Sequence, residues 1–162
     1  MTAHRDVSAR EVLTDPVHLL AFGFGTGLAP VAPGTFGSLP ALLLAWLTLD
    51  LGLYAQLGVA AALFAAGIPI CGASARKLGI HDHGGIVWDE ICGMYVTLLL
   101  APASLLGFAA AFGLFRLFDI VKPWPIRDLD HRLGGGLGIM LDDLVAALYA
   151  LILLAFWGWL MN

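Results

Sequence analysis

Long apolar stretches alternate with short polar segments along this chain, and the apolar stretches are too continuous for half-exposed helices or strands. The pattern predicts a short helix at about residues 16–24, followed by longer apolar segments at about 39–54, 57–75, 86–118 and 139–161. Pro102 divides the third of these, because proline interrupts a helix. Between the first two elements, the Gly- and Pro-rich segment 23–37 predicts an ordered but irregular loop.

The composition places these segments in a membrane. Hydrophobic residues make up 60% of the 162 residues and charged residues only 12%, against about 25% charged in typical soluble domains. We therefore predict an all-α fold, an integral membrane helical bundle, with a polar N-terminal arm (residues 1–15) and a single membrane-embedded domain (residues 16–162). The net charge of −4 gives no electrostatic support for nucleic-acid binding.

The positions of the basic residues predict the topology. All eight Lys and Arg residues lie in the N-terminal arm, at 76–77, or between 116 and 132. Because cytoplasmic loops are enriched in Lys and Arg, these three groups are expected on the cytoplasmic face. Segments 39–75 and 86–118 then each form a helical hairpin with its turn on the far side, and a C-terminal span follows.

Two adjacent acid pairs stand at the entrances to apolar runs: Asp89-Glu90 and Asp142-Asp143. Carboxylates beside hydrocarbon are costly to desolvate unless a cation or hydrogen bonds compensate them. Acids also stabilise the start of a helix, so helix capping is the simpler explanation for one pair alone. The hairpin topology brings both pairs and Asp119 to one membrane face, which predicts a site for Mg²⁺ or Mn²⁺ because hard cations prefer carboxylate oxygen.

Other polar groups are expected near these acids. The connector before Asp89 supplies Asp82 and His83, although solvated loop histidines are the simpler interpretation. Arg116, Asp119 and Lys122 recur at helical spacing, and a cation beside carboxylates is what a phosphate group requires. A basic border of the cytoplasmic face with an internal salt bridge is the alternative interpretation of these three residues.

Two glycine-containing segments precede predicted helices. The glycines at 134, 135, 136 and 138 allow close approach of backbone N–H groups to an anion, or simply form a flexible turn. Thr35 and Ser38 offer hydroxyl groups before another helix, where Ser38 as an ordinary N-cap is the simpler interpretation.

Four segments in order along the chain, APVAPGTFGSLPA, DHGGIVWDEICGM, FRLFDIVKPWPI and GGGLGIMLDDLVA, together resemble the phosphatidylglycerophosphatase A family. They cover the chain from about residue 23 to the last predicted span. The resemblance implies a Mg²⁺-dependent phosphatase of the bacterial cytoplasmic (inner) membrane. Its substrate would be phosphatidylglycerophosphate, its product phosphatidylglycerol, and its surroundings membrane lipids.

The resemblance also implies functional positions, which are Thr35, Ser38, Asp82, His83, Asp89, Glu90, Asp119, Lys122, Asp142 and Asp143. The charged segments themselves suggest a mechanism in which each of these groups, together with Arg116, has a role. The expected metal ligands are Asp89, Glu90, Asp142 and Asp143. The expected catalytic residues are Asp82, Asp119 and Lys122, and the expected substrate-binding residues are Thr35, Ser38, His83, Arg116 and Lys122. Direct attack by water and a phospho-enzyme both remain open.

A small transporter or channel, with carboxylates along an ion path, is the main alternative to an enzyme. It predicts charges through the depth of the spans. Only Asp50 lies away from the expected cytoplasmic face, which favours the phosphatase.

Overall fold

A computed structural model of the chain describes residues 7–80, 83–124, 126 and 133–161. This part of the chain contains α-helices, a 3₁₀ segment at Gly23–Leu28 and no strand, so the predicted all-α class is confirmed there. The α-helices are α1 (Ala9–Thr14), α2 (Pro16–Ala21), α3 (Pro33–Gly37), α4 (Leu39–Leu47), α5 (Leu53–Leu78), α6 (Trp88–Leu98), α7 (Leu105–Val121) and α8 (Gly135–Met161).

Two of these helices, α5 and α8, are long and apolar enough to cross a membrane. Their apolar stretches are Leu53–Leu78 and Gly135–Leu160, each of 26 residues, and an 18-residue window within each has a mean hydropathy of 1.8 and 2.2 respectively. At 1.5 Å per residue, either one exceeds the roughly 30 Å of a bilayer core. The predicted break around Pro102 is also confirmed, because α6 ends at Leu98 and α7 begins at Leu105.

The turn between α4 and α5 comes earlier than predicted. The apolar pattern extends the first long helix to about residue 54, whereas α4 ends at Leu47. Thr48 Oγ1 lies 2.9 Å from the Leu44 carbonyl oxygen and 3.0 Å from the Tyr95 hydroxyl. Gln56 Nε2 donates to the Thr48 carbonyl at 2.9 Å. These polar contacts close a turn inside an apolar run, which hydropathy alone does not reveal.

The N-terminal helices α1 and α2 are attached to α5. Val12 of α1 is fully buried. Asp15 is the N-cap of α2, as its position before Pro16 suggests, and its carboxylate accepts from the Val17 N–H at 2.8 Å. Lys77 of α5 donates to the same carboxylate, and this hydrogen bond lowers the pKa of Asp15. Deeper in the interface, His18 Nδ1 lies 2.8 Å from Ser74 Oγ. Residues 9–21 therefore contact the domain through both apolar and polar groups.

The centre of the molecule is formed by α6 and α8. Helix α8 packs against α5, α6 and α7, and α6 packs in addition against α4, α5 and α7. The largest buried side chains between them include Tyr95, Met94 and Phe115. The acid pairs lie near the starts of these same two helices, so the core packing determines how far apart the carboxylates are.

The crossing of α5 and α8 depends on Gly136. A Cβ atom at this position would lie 1.8 Å from the Ile68 carbonyl oxygen and 2.8 Å from the Gly72 nitrogen. Both obstacles are backbone atoms, which cannot move aside as a flexible side chain can. We expect Gly136→Ala to lower the free energy of unfolding by about 1–3 kcal/mol, the usual cost of overpacking. Thermal unfolding in detergent measures this effect.

Gly113→Ala on α7 is the matched control for this substitution, because a Cβ there meets nothing within 4 Å. It should leave the melting temperature unchanged or raise it slightly, since alanine favours a helix over glycine. Equal melting temperatures for the two variants would contradict the close crossing.

Candidate active site

The start of α6, the end of α7 and the start of α8 meet around a cavity of about 300 Å³. It is lined by Ala32, Pro33, Gly34, Gly84, Ile86, Asp89, Glu90, Arg116, Asp119, Ile120, Lys122, Ile139, Asp142 and Asp143. Both acid pairs and all three charged residues of α7 and its C-cap are present. We call this space the acidic cavity.

Three carboxylates converge inside the acidic cavity. Asp89, Asp142 and Asp143 each offer an oxygen, and these atoms lie within 4.8 Å of one another. The three residues are only 8%, 5% and 3% exposed. Buried like charges at this separation repel strongly, and water does little to screen them. The group is therefore suited to a shared cation.

The donor set fits a hard divalent ion. All three candidate ligands are carboxylates, the class that Mg²⁺ prefers, and among the described residues no sulfur or imidazole belongs to the group. Asp143 Oδ2 is buried and has no hydrogen-bond partner among the described residues. A buried charged oxygen without a partner is costly, so a metal ligand role gives this atom a physical explanation.

Two hydrogen bonds to backbone carbonyls hold the start of α6, where Asp89 lies. Val87 N–H donates to the Ala21 carbonyl at 2.8 Å, which attaches the preceding connector to α2. Trp88 Nε1 donates to the Leu63 carbonyl at 3.0 Å, which attaches the first turn to α5. Asp89 and Glu90 also stand in the first turn of α6, where acids are favourable. Helix capping and metal binding are compatible roles for this pair.

Two cations from α7 and its C-cap face the carboxylates. Lys122 Nζ donates to Asp142 Oδ2 at 2.6 Å, and Arg116 forms an ion pair with Asp119 one turn along the helix. Lys122 has φ of 44°, a left-handed conformation unusual for a residue with a side chain. Such backbone strain persists where the surrounding structure enforces it, and it is frequent at functional sites.

Glu90 differs from the other three acids. Its Oε1 lies 3.8 Å from Arg116 Nη1, and it is not part of the close carboxylate group. Gly34 packs against both side chains: a Cβ at this glycine would lie 2.2 Å from Glu90 Oε1 and 2.9 Å from Arg116 Nη1. Gly34 is not among the predicted site residues. Its signals in the sequence are its place in the Gly- and Pro-rich segment and in the segment APVAPGTFGSLPA.

The remaining predicted site residues lie elsewhere. Ser38 is the N-cap residue of α4 by position, as predicted, but it makes no side-chain capping hydrogen bond. It is fully buried, and its hydroxyl donates to the Gly34 carbonyl at 2.8 Å instead. Thr35 is half-buried and does not line the acidic cavity. His83 lines a neighbouring cavity of about 320 Å³, where its Nδ1 accepts from the Gly85 N–H at 3.0 Å. Asp82 lies outside the described residues.

The glycine cluster has a different role from the predicted anion cradle. Helix α8 already begins at Gly135, and Gly136 packs against α5. Gly138 lies against the Leu133 carbonyl oxygen. None of the four glycines at 134, 135, 136 and 138, all of them described, lines the acidic cavity. The predicted cradle is therefore not part of this cavity. Gly136 and Gly138 allow close packing instead, whereas a Cβ at Gly135 would meet nothing within 4 Å.

Comparison with known proteins identifies the family. A family model described as Phosphatidylglycerophosphatase A matches residues 19–157. A protein of that name from Escherichia coli (strain K12) is 44% identical over 162 residues, which covers 96% of this chain and 91% of the relative. The Haemophilus influenzae protein of the same name is 48% identical over 142 residues, covering 86% and 87%.

A third relative, from Bacteroides thetaiotaomicron, is provisionally named a phosphatidylinositol-3-phosphatase. It is 38% identical over 153 residues, covering 89% of this chain and 94% of the relative. No solved structure matches the chain. The match to the family model and the two relatives, which are 44% and 48% identical over most of their length, show that this chain belongs to the phosphatidylglycerophosphatase A family.

Proposed function

We propose that this chain is a Mg²⁺-dependent phosphatase that hydrolyses phosphatidylglycerophosphate to phosphatidylglycerol and inorganic phosphate. The family and its relatives supply the activity and the substrate. The observation that supports the metal is the group of three buried carboxylates, with oxygens within 4.8 Å of one another. A transporter or channel would not need this convergence at one end of the helices.

Asp89, Asp142 and Asp143 would hold the metal, and Glu90 would lie beside it. When bound, Mg²⁺ supplies Lewis-acid polarisation of a phosphoryl oxygen and a lower pKa for bound water. Lys122 and Arg116 provide positive charge for the remaining phosphoryl oxygens, because both line the same cavity.

The ion pair with Asp119 orients Arg116 in this mechanism, and the Lys122–Asp142 hydrogen bond orients both of its partners. Asp119 also remains a candidate for orienting the attacking water, as does Asp82. Thr35, Ser38 and His83 are retained as proposed substrate-binding residues. Ser38 would act indirectly through its hydrogen bond to Gly34, and His83 from the neighbouring cavity.

Phosphate release by the purified protein tests the activity directly. We expect hydrolysis of phosphatidylglycerophosphate in detergent micelles with Mg²⁺, loss of at least 90% of it in excess chelator, and recovery when Mg²⁺ is restored. Phosphatidylinositol 3-phosphate is the informative control substrate, given the name of the Bacteroides relative. Activity that persists in chelator after exhaustive dialysis would contradict the metal requirement.

We further propose that the acidic cavity faces the cytoplasm of a bacterial inner membrane and that the chain is multi-pass. Arg76 and Lys77 at the end of α5 and the basic residues of α7 lie toward the cavity end, as the positive-inside rule favours. Helix α4 has nine residues and α6 has eleven, about 14 and 16 Å at 1.5 Å per residue. Neither alone covers a 30 Å core, which favours short re-entrant segments in the two proposed hairpins.

Cysteine labelling tests this orientation. Tyr54, 91% exposed at the start of α5, lies at the opposite end of that helix from Lys77. A membrane-impermeant maleimide added outside spheroplasts should label Tyr54→Cys and not Lys77→Cys. The two existing cysteines, Cys71 and Cys92, are both buried and provide little background. The reverse labelling pattern would place the cavity on the outer face.

A further inference from the structure

A second space, distinct from the acidic cavity, lies between α5, α6 and α8. It has a volume of about 320 Å³, and its lining side chains are apolar apart from the thiol of Cys92. On α5 the lining residues are Leu57, Ala60, Ala61 and Phe64, which recur at the spacing of a single helix face. We call this space the α5–α6 cleft.

The α5–α6 cleft begins close to the carboxylates. Its α6 wall consists of Cys92, Val96 and the C-cap residue Leu99, which follow Asp89 at i+3, i+7 and i+10 on the same face. Its α8 wall is Leu144, the residue after Asp143. The seven residue steps from Cys92 to Leu99 extend the cleft about 10 Å away from the proposed metal-binding acids.

The mouth of the cleft is open to the surroundings of the helices. Leu57 is 46% exposed and Ala61 is also exposed. The helices on either side, α5 and α8, are the two that are long and apolar enough to cross a membrane. The opening is therefore expected to face lipid hydrocarbon. Apart from the Cys92 thiol, which contacts the Ala60 carbonyl, the lining side chains offer no hydrogen-bonding group to a lipid head group.

We infer that the α5–α6 cleft binds one acyl chain of the lipid whose phosphate enters the acidic cavity. The inference rests on the proposed function, because it assigns the chain of that substrate. The continuous α6 face joins the acids to the cleft, so one molecule can place its phosphate at Asp89 and its chain beside Val96. Burying methylene groups there contributes binding energy away from the phosphate, which the enzyme uses to position the reacting group.

Filling the mouth of the cleft tests the inference. Ala61→Trp should lower kcat/KM for dioleoyl phosphatidylglycerophosphate about 10- to 100-fold at a fixed lipid mole fraction, equivalent to losing burial of a few methylenes. It should change kcat/KM for the dibutyroyl analogue less than threefold. Ala62→Trp is the matched control, because Ala62 is exposed on the same helix and does not line the cleft. It should leave both values unchanged.

Loss of activity on both substrates to the same extent, or on neither, would overturn the acyl-chain assignment. If unaltered protein hydrolyses neither lipid, the proposed function itself fails, and the two failures are thus distinguishable. A second copy of the chain is the competing occupant of the cleft. It predicts that Ala61→Trp changes the oligomeric state in detergent and leaves the ratio of long-chain to short-chain activity unchanged.

A photoactivatable lipid provides a test on the unaltered protein. A phosphonate analogue of phosphatidylglycerophosphate with a diazirine midway along one chain should crosslink to peptides containing residues 57–64 and 92–99. Excess dioleoyl phosphatidylglycerophosphate should suppress these crosslinks. Crosslinks confined to other helices, or unaffected by competing lipid, would overturn the assignment.

Discussion

Asp143→Asn is expected to reduce kcat for phosphate release by about 10³-fold or more. The substitution keeps the shape of the side chain and removes one of three buried negative charges. One oxygen of each of these carboxylates lies within 4.8 Å of the other two. A bound metal contributes several kcal/mol of transition-state stabilisation, and each 1.36 kcal/mol is a factor of ten in rate. Asp89→Asn removes a charge from the same group and should behave in the same way.

Mg²⁺ binding can be measured in these variants without any reaction. Ligands that bind only the folded state raise its melting temperature, so Mg²⁺ should stabilise the unaltered protein. In Asp143→Asn this Mg²⁺-dependent increase should largely disappear. In the absence of metal, the variant should be at least as stable as the original, because one source of like-charge repulsion is gone.

Asp50→Asn is the matched control for the acid variants. Asp50 is exposed and does not line the acidic cavity. Its replacement should leave both the rate and the Mg²⁺-dependent stabilisation unchanged. Full activity in Asp143→Asn protein, or an equal loss in Asp50→Asn, would remove the basis for the proposed metal site.

Lys122→Met should reduce kcat by about 10²- to 10³-fold, the usual effect of removing one charge-stabilising group from an active site. The methionine keeps much of the length of lysine but cannot donate to Asp142 Oδ2, which the ammonium group contacts at 2.6 Å. Lys122→Arg should recover part of the activity, because the charge is restored while its geometry differs.

The two largest effects should differ in their dependence on metal. Removing Lys122 leaves the acidic group more negative, so Lys122→Met should bind Mg²⁺ at least as tightly as the original protein. Asp143→Asn should bind it far more weakly. Lys77→Met is the control for loss of a lysine, because Lys77 pairs with Asp15 away from the acidic cavity. Weaker Mg²⁺ binding in Lys122→Met would indicate that Lys122 supports the metal site rather than the phosphoryl group.

Much of the candidate site was accessible from the sequence because its signal is electrostatic. Acid pairs beside apolar runs and a one-sided distribution of basic residues predict that Asp89 and Asp142 come together. The structure places these residues, with Arg116, Asp119 and Lys122, around one cavity. Charged residues are so rare in this chain that the position of each one indicates whether it lies at a membrane surface and on which side.

The parts that the sequence analysis missed depend on contacts between distant segments. The Thr48–Tyr95 contact that ends the first long apolar helix joins residues 47 positions apart. Gly34 and Gly136 have the same local signature as any flexible glycine, yet each lies against atoms of another element. Periodicity and turn chemistry describe neighbours in sequence, so they cannot identify a glycine required for packing.

The position of Gly136 divides α8 into two parts with different tolerance to substitution. The close crossing at Gly136 and the acid pair one to two turns later leave little freedom in side-chain size. Farther along, Ile152, Phe156 and Trp159 are each more than half exposed, at 64%, 55% and 73%. In a lipid environment these side chains must be hydrophobic, but their shape is not constrained by packing. Saturation mutagenesis of this helix should therefore distinguish its two parts. Near Gly136 and the acid pair, tolerance should depend on side-chain size, whereas farther along it should depend only on the free energy of transfer into lipid.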